Sequence, residues 1–216
     1  MSQTKTQLVA SPLNLNGADL TFPSTQGSAD QILRNGSTPG TLEFGAVALS
    51  AMPTGSILLV KQTHLNTTSS HSLTGGTIAE ISGLSVTITP VSLTSNMLVF
   101  VRWCGEVSTA NNYNVLYGIR RDSTDLGQPA ASGLRPVGLT SPSMGYWTSD
   151  ANSTTDQANY NFLDTTRASG TSAITYKATV NSANSQTLFN QTTVSNTNTA
   201  DFELTTSTMI VMEVAA

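Results

Sequence analysis

The sequence predicts an all-β protein in which a short β stem precedes an antiparallel β-sandwich, or jelly roll. Apolar and polar residues alternate in short segments, and turn residues separate these segments. No apolar stripe with the 3.6-residue period of a helix continues over a helical length. The strand patterns become longer after Pro53, which predicts a stem region over residues 1–53 and a head domain over residues 54–216.

The composition argues against several classes of protein. Charged residues make up 10% of the 216-residue chain, against about 25% in ordinary soluble domains. Hydrophobic residues make up 38%, which argues against disorder, and the net charge of −4 argues against nucleic-acid binding. No apolar run has the length of a signal peptide or a membrane helix. We therefore expect synthesis in a cytoplasm, no membrane insertion and no nucleic-acid partner.

The stem is predicted from the segment 20–45, which alternates extended pieces with loops of Ser, Thr, Gly and Pro. The extended pieces are Leu20–Pro23, Gln31–Arg34 and Thr41–Phe44. Their apolar residues are Leu20, Phe22, Ile32, Leu33, Leu42 and Phe44. So few apolar residues cannot form a core alone, because isolated two-stranded ribbons are marginally stable in water. We expect other copies of the chain to complete this segment.

The head is predicted to contain about eight to ten short strands. The clearest are Ile57–Thr63, Ile78–Ile81, Leu84–Ile88, Met97–Cys104, Tyr113–Ile119, Ile174–Val180, Thr187–Thr193 and Thr208–Val214. Met97–Cys104 is apolar on both faces, which predicts a central strand between two layers. The first and last strands are also strongly apolar. We expect them to pair with each other in a central position, because an exposed apolar edge promotes aggregation.

Two stretches resemble parts of bacteriophage proteins. The segment 20–45 resembles a module of phage fibre and knob proteins: an apolar strand ending in Pro, a loop of the type S/T-x-G-S-A-x-Q-x-L, then N/D-G-S and x-L-x-F/W-G. Here these parts are LTFP (20–23), GSADQIL (27–33), NGS (35–37) and TLEFG (41–45). The segment 78–103, IAEISGLSVTITPVSLTSNMLVFVRW, resembles the opening half of phage jelly-roll heads.

The resemblance implies a homotrimer on the surface of a virion. The head fold of this family is similar to the trimeric tumour-necrosis-factor and C1q heads. The resemblance therefore implies an interlaced stem, similar to a β-prism or triple β-helix, below jelly rolls that pack around a three-fold axis. Partners implied in this way are further copies of the chain and, through the N-terminal region, other virion proteins such as the major capsid protein.

Three functions are compatible with such a trimer. Only 19 residues precede the stem module, which begins at Leu20, whereas a tail fibre usually needs a substantial N-terminal adaptor. We therefore favour a non-enzymatic capsid decoration or cement protein, or head fibre. The first alternative is a short tail fibre or receptor-binding knob that contacts a host surface glycan or protein. A glycan depolymerase is disfavoured, because no paired carboxylates are evident among the dispersed residues Asp150, Asp156 and Asp164.

No catalytic, metal or cofactor site is evident in the sequence. His64 and His71 flank a polar loop, and we expect them at the surface or an interface rather than on an axial metal ion. Cys104 follows Trp103 on the most apolar strand and is expected to be a buried structural thiol. Asp122 and Asp125 are expected to be solvated turn residues rather than calcium ligands.

Arg102 and four aromatic residues leave alternatives open. Arg102 lies in an apolar strand, so either its face borders solvent or it pairs with Glu213 or Glu80, and we favour a pair. The aromatic residues occur in segments predicted to be long polar loops, between residues 122 and 171. They are Tyr146, Trp147, Tyr160 and Phe162. We expect them to anchor these loops, with contact to a glycan ligand or a neighbouring subunit as alternatives.

Overall fold

The computed structural model describes residues 13–15, 18–29, 31–108, 114–130, 132–142, 153–194 and 198–216. Within these ranges the named strands all pair in antiparallel fashion, and the one further regular element is a short 3-10 turn at Leu49–Ala51. The all-β prediction is therefore confirmed. The described residues form two compact units, one within Met1–Pro53 (unit 1) and one comprising Thr54–Ala216 (unit 2).

Unit 1 contains two hairpins. Strand β1 (Leu13–Leu15) pairs with β2 (Ala18–Leu20), and β3 (Ile32–Asn35) pairs with β4 (Leu42–Gly45). A single bridge between Thr21 and Thr41 connects the two hairpins. Two of the predicted extended pieces thus correspond to β3 and β4. The first piece was placed too far along the chain, because the strand ends at Leu20 rather than continuing to the proline.

In the described part of unit 2, ten strands form two antiparallel sheets that enclose one core. The strands are β5 (Ile57–Leu65), β6 (Ser69–Leu73), β7 (Ile78–Ile88), β8 (Asn96–Val107), β9 (Val115–Arg121), β10 (Thr124–Leu126), β11 (Asp156–Asp164), β12 (Ile174–Ser182), β13 (Gln186–Asn190) and β14 (Ser207–Val214). One sheet has the order β10-β9-β12-β7. The other has the order β5-β14-β8-β13-β6, with β11 paired to the opposite side of β8. This arrangement is consistent with a β-sandwich.

Alternate residues of the strands point inward and form the core. On β8, Val99, Val101 and Trp103 are buried and point between the sheets. Trp103 stacks on Tyr117 of β9 with ring centroids 4.7 Å apart, and both side chains are fully buried. Each buried aliphatic or aromatic side chain of this kind contributes about 1.5–3 kcal/mol. The core therefore lies wholly within unit 2 as far as the described residues extend.

Three strand predictions need correction. Ile78–Ile81 and Leu84–Ile88 are one strand, β7, and the predicted break is a bulge in which Gly83 adopts a φ of +77°. The predicted long loop between residues 122 and 171 contains strands β10 and β11. The strand predicted over Thr187–Thr193 ends at Asn190, because Gln191 adopts a positive φ of 61°.

The predicted pairing of the first and last head strands is confirmed. Their predicted central position is correct for the last strand and wrong for the first. β5 pairs with β14 along its length. β14 lies between β5 and β8, whereas β5 is at the edge of the sheet. β8 was predicted to be central and to lie between two layers. It is central within its sheet, because β11 pairs with one side and β14 and β13 with the other. The second layer is not found among the described residues, since Phe100 on the face opposite the core is 38% exposed.

Candidate functional site

The apolar residues of unit 1 remain accessible to solvent. Ile32 and Leu33 are 47% and 43% exposed. The other predicted stem residues are partly buried: Leu20, Phe22, Leu42 and Phe44. No hydrophobic side chain in the described part of this unit is buried. The salt bridge between Arg34 and Glu43, at 2.9 Å, is exposed and contributes at most about 1 kcal/mol.

The six-stranded sheet presents a second accessible apolar surface, which we call the outer face. It is the side of the sheet opposite the core, and it spans β11, β8, β14 and β5. In the observed register, its rows contain Leu163, Leu98, Met212 and Val60, then Asn161, Phe100, Ile210 and Gln62, then Asn159, Arg102, Thr208 and His64. This set contains apolar and neutral polar residues together with one arginine and one histidine, and it contains no acidic residue.

Several large apolar side chains on the outer face are exposed. Val60 is 49% exposed, Leu163 is 46% exposed and Phe100 is 38% exposed. Leu98, Ile210 and Met212 are partly buried. A shallow groove of about 520 Å³ runs across the middle row, between Phe100 and Ile210. Contiguous apolar patches of this kind typically mark interaction sites on soluble proteins.

The four-stranded sheet has a different outer surface. Arg120 of β9 forms a two-pronged ion pair with Asp125, with the nearer nitrogen and oxygen 2.8 Å apart. Glu80 of β7 contacts both Lys177, at 2.9 Å, and Arg120, at 3.4 Å. These hydrogen bonds lower the pKa of Glu80, the one from Lys177 most of all. The charged side chains suit contact with water, so the two sheets differ sharply in the surface they present.

The predicted ion pair of Arg102 is wrong. Arg102 lies exposed on the outer face and donates to Thr206, with 2.9 Å from Nη2 to the hydroxyl oxygen. Neither proposed partner is available to it. Glu80 pairs with Lys177 and Arg120, and Glu213 is fully buried on the core side of β14. The alternative that this face borders solvent therefore holds for the single chain.

Asp164 is the centre of a buried polar network rather than a candidate acid catalyst. Its carboxylate accepts hydrogen bonds from Arg121 at 2.7 Å and from the Tyr176 hydroxyl at 2.7 Å, and from the amide and hydroxyl of Thr166 at 2.9 Å each. Burial alone raises the pKa of Asp164, but these hydrogen bonds outweigh burial and lower it. Burial and the adjacent carboxylate raise the pKa of Tyr176. The network fixes the start of the loop after β11.

The two histidines and the cysteine lie on strands. His64 of β5 is exposed, and its Nδ1 lies 3.2 Å from the Thr208 hydroxyl. His71 of β6 is partly buried, and neither ring nitrogen has a hydrogen-bond partner among the described residues. Burial lowers the pKa of His71, which favours the neutral imidazole. Cys104 is buried as predicted, and burial raises the pKa of its thiol, which disfavours the nucleophilic thiolate.

The structure places two of the four predicted contact aromatics in or against the core. Tyr160 lies on β11, is only 8% exposed, and donates its hydroxyl to the Gly118 carbonyl at 3.1 Å. Phe162, two residues along the same strand, is partly buried and packs against the core. The expectation that these residues lie in polar loops is wrong, and their positions fit the favoured interpretation, in which they act as anchors rather than as ligand contacts. Tyr146 and Trp147 lie outside the described residues.

The acidic turn after β9 has structural partners. Asp122 adopts a φ of 50° and accepts a hydrogen bond from the Thr175 amide at 3.0 Å. Asp125 is engaged by Arg120. Within the described ranges, no group of three His, Cys, Asp or Glu residues is placed to hold a metal ion. The two aspartates thus have defined roles in shaping the turn.

Sequence reasoning missed the outer face, although the sequence contained a signal for it. Met97–Cys104 is apolar on both faces, and this pattern is typical of a strand covered on both sides. In the single chain, the core covers only the side that carries Val99 and Val101. The opposite side, with Phe100, faces solvent. The two-sided apolar pattern of β8 was therefore the sequence signal for an apolar outer face.

Comparison with known proteins assigns no family to this chain. No family model matches the sequence, and no curated protein matches it significantly. Among the described residues, no helix combines the length and the apolar character needed to span a membrane. The functional argument therefore rests on the accessible apolar surfaces of the two units.

Proposed function

We propose that the protein is a non-enzymatic structural component of a phage virion surface, assembled as a homotrimer through its stem and the outer face. The observation that carries the proposal is the acid-free apolar outer face of the six-stranded sheet. Exposed Val60, Phe100 and Leu163 would cost solubility in a chain that stayed monomeric. Burial against further copies of the chain removes that cost.

The charge on the outer face favours a cyclic arrangement over a face-to-face dimer. In a two-fold dimer, the outer face of one subunit meets the outer face of the other. The interface would then contain two copies of Arg102, and the three rows offer no carboxylate to compensate them. In a ring, the outer face of one subunit meets a different surface of the next. The resemblance to trimeric phage heads makes three the expected number.

The size of the outer face indicates that it cannot act alone. Four strands about 4.8 Å apart, over the roughly five residues of about 3.3 Å each that the three rows span, give a projected area of roughly 320 Å². A standard interface buries about 800 Å² on each partner. The exposed apolar residues of unit 1, including Ile32 and Leu33, offer the additional surface. Assembly through both the outer face and the apolar residues of unit 1 therefore fits the proposal better than assembly through one of these regions alone.

Within the trimer proposal, decoration of a capsid remains the favoured role. The fibre alternative would use the four aromatic residues as its contact face, and two of them, Tyr160 and Phe162, lie in or against the core of unit 2. A glycan depolymerase would need two carboxylates flanking a substrate cleft. Asp164, one of the three dispersed aspartates, is enclosed by Arg121, Tyr176 and Thr166. The positions of Tyr160, Phe162 and Asp164 therefore favour the decoration role over the fibre and enzyme alternatives.

Three measurements test the proposal: the oligomeric state, the place of the protein on the particle, and the release of sugar. Native mass spectrometry of the purified chain should give a trimer, and a stable monomer at micromolar concentration would refute the assembly. Immunogold labelling of particles should then place the protein on the capsid. Label confined to the tail would favour the receptor-binding alternative, and release of sugar from host polysaccharide would overturn the non-enzymatic role.

A further inference from the structure

Unit 2 contains a cavity of about 380 Å³ at one end of the sandwich, which we call the end cavity. The turn between β9 and β10, residues 121–124, lines one side of it. Residues 167–170 and 172–174, from the loop between β11 and β12, line the other. None of these residues belongs to the rows of the outer face. The volume lies within the range of small-molecule binding sites.

Arg121 brings unused hydrogen-bond donors to the end cavity. Its Nη1 donates to both carboxylate oxygens of Asp164, at 2.9 and 2.7 Å, and to the Thr166 hydroxyl at 3.3 Å. Its Nε and Nη2 have no hydrogen-bond partner among the described residues. The Arg121 side chain is 17% exposed. The edge formed by Nε and Nη2 is therefore available to a ligand.

The preceding residue shows what such an edge binds. Nε and Nη2 of Arg120 donate to the two carboxylate oxygens of Asp125, at 2.8 and 3.1 Å. Two parallel N–H groups match the two oxygens of a carboxylate, which makes this contact both strong and specific. The same edge of Arg121 is not used by the protein in the part of the chain that the structure describes. A carboxylate on a ligand is the group that fits it best.

Arg121 is also fixed in position before any ligand binds. The Asp164 side chain is fully buried, and the Tyr176 hydroxyl donates to it at 2.7 Å. The Thr166 amide donates to the same carboxylate at 2.9 Å. Because Nη1 of Arg121 is held by this network, the guanidinium loses little side-chain entropy on binding.

Arg167 has a different role, because the protein uses all three of its nitrogens. It donates to the carbonyls of Ser92 at 2.8 Å and Gly170 at 2.9 Å. These contacts attach the β11–β12 loop to the Pro90–Ser95 loop, whose amides donate to the buried Glu213. Arg167 thus fixes one side of the end cavity and is not free to bind a ligand.

The rim of the end cavity is rich in hydroxyl groups and contains one carboxylate. The hydroxyl side chains belong to Ser123, Thr124, Ser169 and Ser172, and all four residues are exposed. Oδ1 of Asp122 accepts a hydrogen bond from the backbone at 3.0 Å, whereas Oδ2 has no partner among the described residues. This rim offers acceptors and donors to the hydroxyl groups of a ligand.

The charges around the end cavity narrow the class of ligand. Asp164 is compensated by Arg121, but Asp122 at the rim is not paired with a cation among the described residues. A doubly charged phosphate would be repelled by Asp122. An acidic peptide would fit Arg121 but would offer few hydroxyls to Asp122 and the rim. A sugar acid matches both, because it has one carboxylate and several hydroxyl groups.

We propose that the end cavity binds a carboxylated sugar unit of an acidic glycan. Its carboxylate accepts from Nε and Nη2 of Arg121, and a ring hydroxyl donates to Oδ2 of Asp122. The proposal goes beyond the proposed function and does not depend on it, because binding here requires neither a trimer nor a particle.

The test is titration of the purified full chain with free sugars at neutral pH, followed by saturation-transfer NMR. Three acids are used: glucuronate, galacturonate and N-acetylneuraminate. Their methyl esters keep the hydroxyls and lose the charge, whereas acetate keeps the charge and lacks the hydroxyls. We expect at least one acid to bind at least about tenfold more tightly than its ester and than acetate, and tenfold corresponds to about 1.4 kcal/mol.

Two variants with matched controls test the place of binding. Arg121→Lys keeps a positive charge beside Asp164 but lacks the two-pronged edge, and Arg120→Lys is its control. We expect the preference for acid over ester to fall below about threefold in Arg121→Lys and to be unchanged in the control. Ser172→Tyr fills the cavity from an exposed position and should abolish binding. Ser132→Tyr, at an exposed serine that does not line the cavity, should not.

Thermal unfolding of each variant verifies that it is folded, and Ser172→Tyr decides the question if Arg121→Lys is not. Binding of none of the three acids would overturn the proposal. Equal affinity for acid and ester would refute the contact with Arg121, and equal affinity for acetate would refute the role of the rim. Binding of Ser172→Tyr at the wild-type level would place the sugar elsewhere. Tighter binding of a triglutamate peptide than of any sugar acid would assign the cavity to peptides. Each of these results leaves the oligomeric state and the particle labelling unaffected.

Discussion

Phe100→Ser tests the outer face most directly. Phe100 is 38% exposed in the single chain, and its side chain points away from the core. A phenylalanine presents about 200 Å² of surface, so about 75 Å² remains to be buried, which corresponds to about 2 kcal/mol per subunit. Three equivalent contacts give about 6 kcal/mol for the trimer, or about four orders of magnitude in its overall association constant.

The assay is sedimentation velocity across a dilution series, with thermal unfolding of each variant. We expect Phe100→Ser to dissociate to monomers at concentrations at which the wild type remains trimeric, while its head unfolds at nearly the wild-type temperature. Leu134→Ser, which removes a fully exposed leucine elsewhere, serves as the control and should stay trimeric. Equal dissociation of Phe100→Ser and the wild type would refute the assignment of the outer face to the subunit interface.

Three further predictions concern the stem, the core and pH. Phe44→Ser should weaken assembly in the same dilution assay and leave the unfolding temperature of the head unchanged, and normal trimers would contradict the role of the stem. Gly105→Ala should destabilise the head by about 3 kcal/mol or more in chemical denaturation, because a Cβ there would lie 2.1 Å from the Phe189 carbonyl oxygen. Asp164 has a lowered pKa in the folded protein, so its stabilising contribution is present above its unfolded pKa near 3.8 and is lost as the pH falls through the lowered value. Asp164→Asn should therefore reduce stability at neutral pH and flatten its dependence on acid pH, and a variant with the wild-type acid profile would refute the role of the Arg121 contact.

Much of the head could be predicted from the sequence because strand alternation is a local signal. The alternation in β7 correctly places Leu84, Val86 and Ile88 in the core, and the apolar character of β8 correctly makes it central. The pairing of β5 with β14 could be predicted because the first and last strands of the head in the sequence are both strongly apolar. β11 was missed because Asn159 and Asn161 on its outer side make the segment resemble a polar loop.

The partners of charged residues could not be predicted, because they depend on positions that are distant in the sequence. Arg102 was expected to pair with Glu213 or Glu80, and Glu213 is on the neighbouring strand β14. The two side chains leave the sheet on opposite sides, since Glu213 points to the core and Arg102 to solvent. The register of β14 against β8 decides this, and no local pattern reveals a register between segments so far apart.

The sequence by itself determined the strand periodicity, the low charge and the two-sided apolar character of β8. Each of these is a property of neighbouring residues or of overall composition. Tertiary structure alone decided which side of β8 meets the core, and hence that Phe100 faces solvent beside Ile210. It also brought Glu213 and Arg167 to opposite polar groups of the Pro90–Ser95 loop. Such contacts depend on sheet register and layer packing, which join residues across most of the head.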